Sequence, residues 1–153
     1  MANQGRERTL ISLYWLLKAV HVLCAVVWVG GMFFAYVVLR PSLAVLEPAQ
    51  RMALHGQVFR RFFLIVWHAM PLIVLTGFAM IFAIFGGMAQ VTWNIHIMLL
   101  LGLVMAAIFL AIFFGPYRTF RAAPGPASLD SIRKLIGINL VLGLLITVIA
   151  VLG

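Results

Sequence analysis

Residues 92–114 read TWNIHIMLLLGLVMAAIFLAIFF, and this stretch decides the fold. It contains no charged side chain, and it is long enough to cross a bilayer, which takes about 20 mostly apolar residues in a helix. Three further runs have the same character, at residues 10–39, 62–85 and 132–152. Because backbone groups in lipid must be paired internally, and because these runs lack the alternation of barrel strands, they are predicted to be helices. The predicted fold is all-α, an integral membrane antiparallel four-helix bundle that forms one domain over residues 1–153.

The composition excludes most soluble functions. Of the 153 residues, 65% are hydrophobic and 9% are charged, whereas an ordinary soluble domain has about 25% charged residues. The 11 Lys and Arg residues outnumber the 3 Asp and Glu residues. They lie in short clusters between apolar runs, so the predicted partner is the lipid bilayer and not nucleic acid. No carboxylate lies inside the spans, which argues against a carboxylate-based proton transporter or intramembrane protease, and a single cysteine excludes a disulfide framework.

The basic residues also predict an orientation. Eight of the 11 lie in the first and third loops, and the other three precede or begin the first span. The loop residues are Arg40, Arg51, Arg60, Arg61, Arg118, Arg121, Arg133 and Lys134. Because basic loops stay on the cytoplasmic side, both termini are expected in the periplasm of a bacterial inner membrane. The first apolar run is too long for a cleaved signal peptide and is expected to remain as a span.

The first loop contains a segment with helical character. Residues 49–59 follow Pro48 and alternate apolar and polar faces, which predicts an amphipathic cytoplasmic connector lying at the bilayer surface. His55 belongs to this connector and is expected to be solvated.

Few polar side chains lie within the spans, and each is therefore a candidate for function. Counted at 1.5 Å per residue from each span's midpoint, His21 and His96 lie at nearly the same depth in the outer half of the bundle, and His68 lies in the inner half. Two level imidazoles on separate helices suit a metal site, or the two axial ligands of a heme iron. The alternative is that each histidine packs singly and hydrogen-bonds a neighbouring helix.

Soft side chains accompany these histidines. Cys24 lies one turn from His21, and sulfur ligands select Cu(I). Met80, Met88 and Met98 all lie toward the outer side of the membrane. Within a helix the side chains of His96 and Met98 would point about 200° apart, so these two residues could share a metal only if the helix begins after Met98. The face of the first span that carries Lys18, His21, Ala25, Trp28, Met32 and Tyr36 is predicted to face the interior.

Two other polar residues have open roles. His68 precedes Pro71 by three residues and is interpreted as a second-site ligand, a relay toward the cytoplasm, or a structural hydrogen-bonding residue. Lys18 lies one turn outward of His21, where it would meet a heme propionate or extend to the outer headgroups.

Residues Asn139, Gly143 and Thr147 recur at helical spacing and predict a small-residue packing seam.

Five short stretches form a recognisable pattern: residues 18–21 (KAVH), 27–34 (VWVGGMFF), 39–41 (LRP), 58–63 (VFRRFF) and 116–118 (PYR). This pattern resembles the CopD family of integral membrane proteins linked to copper resistance and import. Larger members of the family are about twice as long, so the chain resembles a stand-alone four-helix unit. The resemblance implies copper movement across the inner membrane or copper delivery there, with a copper chaperone or redox partner and a homo-oligomer as candidate partners.

The first span is also similar to HemJ-type protoporphyrinogen oxidases, which share its Ala-x-His and Trp-x-x-Gly patterns. That resemblance implies a b-type heme with His21 as a ligand. The third span of that family begins with His-x-Lys, whereas this sequence has His96 followed by Met98. This departure weighs against the oxidase activity more than against the heme.

Three interpretations follow. The first is a copper-handling membrane protein whose ligands come from His21, His96, Cys24, Met98 and His68. The second is a small b-type cytochrome that binds heme b through His21 and His96, with Lys18 near a propionate, and acts as an oxidoreductase in electron transfer. The third is a structural or assembly subunit whose histidines only pack.

Overall fold

Long helices account for most of the described chain, residues 2–153 of the computed structural model. The α-helices are α1 (Ala2–Phe33), α2 (Arg40–Ser42), α3 (Pro48–Ala79), α4 (Trp93–Phe114), α5 (Pro116–Ala122) and α6 (Pro126–Leu152). A π-helical segment, Phe34–Leu39, joins α1 to α2, and a second, Met80–Ile84, extends α3. Short 3₁₀ turns lie at Leu43–Val45 and Met88–Gln90.

Four of the resulting segments are long and apolar enough to cross a membrane. They are Glu7–Val45, Pro48–Ile84, Trp93–Ala122 and Pro126–Leu152. The prediction of an all-α membrane four-helix bundle is thus confirmed. Many large apolar side chains on the outside of the bundle are exposed, as expected for a surface that faces lipid tails.

The turns between these segments follow the local sequence. Glu47 and Gln50 form a reciprocal capping box, and Pro48 occupies the first turn of α3, where a missing backbone N–H costs nothing. After α3, Gly86 and Gly87 take φ values of 84° and 117°, which side chains with a Cβ rarely adopt, and the chain reverses there.

Residues 49–59 are helical, but they do not form a separate connector. They are the first part of α3, which continues without a break through the second span. The true connection between the first two spans is short, because α2 and the following 3₁₀ turn bring the chain to Glu47 directly. The amphipathic pattern of this segment therefore belongs to the N-terminal end of α3, where the helix packs on its neighbours.

The helices pack around an aromatic core. α1 packs mainly on α3, and α4 mainly on α6, with further contacts of α1 on α6 and of α3 on α4. Phe63 and Phe109 lie at the centre of this core, and both are almost fully buried. α1 and α4 are therefore diagonal to each other in the bundle, which matters for any site that needs a ligand from each.

The interior face predicted for the first span is largely confirmed. Trp28 and Met32 are buried in the core, and His21 and Tyr36 are half-buried, whereas Lys18 is exposed. Gly31 lies against α3, since a Cβ at that position would lie 2.5 Å from the ring of Phe62.

The packing seam on α6 is confirmed over two of its three positions. The Asn139 amide Nδ2 donates to the Met105 carbonyl at 3.2 Å, which ties α6 to α4. Gly143 is buried, and a Cβ there would lie 2.8 Å from Val29. Thr147 is exposed and donates to the Gly143 carbonyl of its own helix, so the seam ends one turn earlier than predicted.

Candidate metal site

The His21 side chain contacts a neighbouring helix. Its Nδ1 lies 3.0 Å from the Thr76 hydroxyl oxygen on α3. The ring also packs over Gly77, where a Cβ would lie 3.4 Å from its Cε1 atom. The glycine thus leaves room for the imidazole between α1 and α3.

The hydrogen bonds of Thr76 determine which nitrogen of His21 carries the proton. The Thr76 hydroxyl lies 2.6 Å from the Leu72 carbonyl and 3.1 Å from the Ile73 carbonyl. Because a hydroxyl has one proton and a carbonyl can only accept, that proton goes to the helix backbone. The hydroxyl oxygen then accepts from His21 Nδ1–H. In the neutral imidazole this leaves Nε2 with its lone pair, which is the state a metal ligand requires.

Two sulfur-containing residues lie about one helical turn from the His21–Thr76 contact in sequence, one on each helix. Cys24 is a half-buried free thiol one helical turn from His21. On the opposite helix, Met80 follows Thr76 by four residues and is half-buried at the end of α3. The antiparallel pairing is extended by Tyr14, whose ring centroid lies 5.9 Å from that of Phe85. Imidazole nitrogen, thiol and thioether are all donors that suit Cu(I).

His96 is placed differently. It is exposed near the start of α4, and its Nδ1 lies 3.1 Å from the Thr92 carbonyl of the same helix. The two histidines thus have different partners, Thr76 on α3 for His21 and the backbone of its own helix for His96. Because α4 begins at Trp93, both His96 and Met98 lie inside it, and the two side chains leave the helix in different directions.

The remaining candidates also lie on the outside of the bundle. His68 is exposed on α3, and its Nδ1 lies 2.8 Å from the Leu64 carbonyl one turn earlier. The Lys18 ammonium lies 5.6 Å from the Tyr14 ring centroid and 5.4 Å from that of Trp15. Such cation–π contacts fit a lysine that extends along the surface toward the headgroups.

His55 corrects the sequence-based expectation. It is buried, with 5% of its surface exposed, and its Nε2 lies 2.9 Å from an Arg133 guanidinium nitrogen on α6. The expected solvated loop histidine is therefore an interhelical contact, because the N-terminal part of α3 is helical and brings His55 to Arg133 of α6. Its ring also stacks on Phe59, with the centroids 5.5 Å apart.

Thr76 is the residue of this region whose role sequence reasoning missed. Thr76 is one of the few polar residues in the spans, and this rarity is the sequence feature that indicates a functional role. Its pairing with His21 requires the register of α1 on α3, which no local pattern supplies. In the part of the chain that the structure describes, no group of three or more His, Cys, Asp and Glu side chains is arranged to hold a metal ion.

The fold and these side chains define a class of protein: a small helical membrane bundle with one histidine oriented by an interhelical hydrogen bond. The family model for copper resistance protein D, CopD, matches residues 56–152, which is more than half of the chain. The chain therefore belongs to the CopD family, and the resemblance inferred from its motifs is confirmed. No curated protein and no solved structure is significantly similar to it.

Proposed function

We propose that this protein handles copper in a bacterial inner membrane, in copper import or resistance, and that its metal site is centred on His21. Family membership supports copper as the cargo. The observation that carries the site is the contact between His21 Nδ1 and the Thr76 hydroxyl. Outer-sphere hydrogen bonds of this kind orient metal-binding histidines and set their tautomer.

The proposed ligands are His21 Nε2, the Cys24 sulfur and the Met80 thioether. Thiolate and thioether ligands select Cu(I) over harder ions, so Cu(I) is the proposed state of the bound copper. His96, His68 and Met98 have no part in this site, because the first two are exposed and bound to their own helices. Met80 replaces Met98 in the proposed ligand set, since it lies on the helix that contacts His21.

A bis-histidine heme b is the weaker candidate. It needs two imidazoles on opposite sides of one iron, and His96 is exposed, with its ring bonded to the backbone of its own helix. Lys18, the residue proposed to meet a propionate, contacts Tyr14 and Trp15 instead.

The proposal is tested by loading the purified full-length protein with Cu(I) under reducing conditions. We expect one tightly held copper per chain by elemental analysis, and no Soret band in the visible spectrum of the protein as isolated. A Soret band that sharpens on reduction, together with absent copper binding, would favour heme. Absence of both would leave the structural-subunit interpretation.

The proposed orientation places the basic loops in the cytoplasm and both termini in the periplasm. It is supported by the eight basic residues that lie at one end of the bundle, against three near the N-terminus. A periplasm-active reporter fused after Gly153 should be active, and a cytoplasm-active reporter at the same point should be silent. The reverse pattern would place His21 in the cytoplasmic half of the membrane.

A further inference from the structure

At the basic end of the bundle, three guanidinium groups from different segments line one open pocket. Arg40 belongs to α2, Arg51 to the first turn of α3 and Arg133 to α6. Together with Pro41 and Ala44 they line a cavity of about 420 Å³. A cavity of that size lies within the range of ~300–1,000 Å³ that is typical of small-ligand sites.

Two of the arginines are held in place by uncharged groups. Arg51 donates from Nη2 to the carbonyls of Leu46 and Ala44, at 2.8 Å and 3.2 Å, and from Nε to Leu46. The Arg40 guanidinium lies 5.3 Å from the ring centroid of Tyr36. These contacts orient both groups and leave their positive charge in place.

The third arginine is held by a histidine that must be neutral. The Arg133 guanidinium has only donors, so His55 Nε2, 2.9 Å away, must accept. His55 then carries its proton on Nδ1 and contributes no charge. The Nε of Arg133 is buried and has no hydrogen-bond partner in the structure. A buried donor left unpaired is costly, and nothing in the described residues satisfies it.

Within the described residues, no carboxylate forms an ion pair with any of the three arginines. The ion pair found there joins Lys134 to Asp130 at 3.5 Å on the surface of α6. The Asp130 carboxylate attracts the Arg133 guanidinium without contacting it, whereas Arg40 and Arg51 both repel the Arg133 guanidinium. Three like charges around one open pocket favour an anion as the occupant.

We propose that this pocket is a binding site for a phosphate group, held by Arg40, Arg51 and Arg133. Guanidinium groups match the geometry of phosphate oxygens and donate to them in pairs. The phosphate is that of an anionic phospholipid headgroup or of free phosphate. Basic pockets between membrane helices commonly bind lipid headgroups, and Val37 and Val38, exposed on the adjoining π-helical segment, offer an apolar surface for acyl chains. This proposal is independent of copper binding.

The test is native mass spectrometry of the full chain released from detergent micelles. The probes are phosphatidylglycerol, inorganic phosphate and, as a lipid without phosphate, diacylglycerol. We expect phosphatidylglycerol to bind and diacylglycerol to be lost. Retention of inorganic phosphate in place of the lipid would assign the site to free phosphate. Retention of neither phosphate-bearing probe would overturn the proposal.

Matched triple variants separate a built site from general surface charge. R40Q/R51Q/R133Q should weaken binding at least about tenfold. The reason is that a hydrogen bond to a charged group contributes more free energy than a hydrogen bond between neutral groups. R60Q/R61Q/R118Q removes the same charge from exposed positions at the same end and should have a much smaller effect. Equal losses in both triple variants would overturn the proposal. Arg40→Gln alone, at an exposed side chain, should also weaken binding, and it tests the site if the triple variant fails to fold.

Discussion

His21→Ala should abolish tight copper binding by this protein. The imidazole is the donor that the structure orients, because Thr76 fixes its proton on Nδ1 and leaves Nε2 as the free nitrogen. Losing an outer-sphere partner of a metal ligand costs about 10- to 100-fold in affinity, and losing the ligand itself should cost more. Competition with a Cu(I) chelator of known affinity measures the effect in the purified full-length chain.

Thr76 allows the geometry of the site to be tested separately from its ligand. Thr76→Val keeps the shape of the side chain and removes the hydroxyl, so copper affinity should fall by about 10- to 100-fold. Thr76→Ser should restore most of it. Thr147→Val is the matched control, since Thr147 also donates to its own helix but is exposed and far along α6.

The other histidines provide the contrasting result. His96→Ala and His68→Ala should leave copper affinity nearly unchanged, because both rings are exposed and each is bound to a carbonyl of its own helix. Equal losses in His21→Ala and His96→Ala would restore the site shared between α1 and α4. An unaffected His21→Ala would remove His21 from copper binding altogether.

The fold was predictable from the sequence because a membrane limits what an apolar run can do. A stretch such as residues 92–114 has to be helical in lipid, and its length is that of one span. Counting such stretches therefore gives the number of spans. The end of a span in lipid and the end of a helix are different things, however. The N-terminal part of α3 is as helical as the rest, and the contact of His55 with Arg133 of α6 shows that it belongs to the bundle.

The candidate site was less predictable because depth does not specify direction. His21 and His96 are level by residue counting, yet one faces α3 and the other is exposed on α4. The rotation of α4 about its axis is not encoded in its own pattern, since the helix is apolar on all sides. His21, by contrast, shares its face with the buried Trp28 and Met32, and this correctly indicates that it points inward.

Phe63→Ala should be among the most destabilising single truncations in the bundle. The ring is 1% exposed and packs edge-on to Tyr117 at a centroid distance of 4.6 Å. It also contacts Phe109 at 5.9 Å and Phe59 at 5.7 Å, so it joins α3 to both α4 and α5. Removing it leaves a cavity at the point where three helices meet.

The magnitude follows from the membrane setting. In a soluble protein Phe→Ala costs about 3–5 kcal/mol, which combines transfer from water with the cavity. Lipid tails are as apolar as the core, so mainly the packing loss remains. At about 24 cal/mol per Å³, the roughly 100 Å³ of a phenyl ring corresponds to about 2 kcal/mol.

Leu64 is the matched control, because it is the next residue and is 61% exposed. Leu64→Ala should cost less than about 0.5 kcal/mol. Unfolding both variants by SDS titration in mixed micelles, followed by circular dichroism, measures the difference, and equal losses would contradict the packing of α3 on α4 and α5.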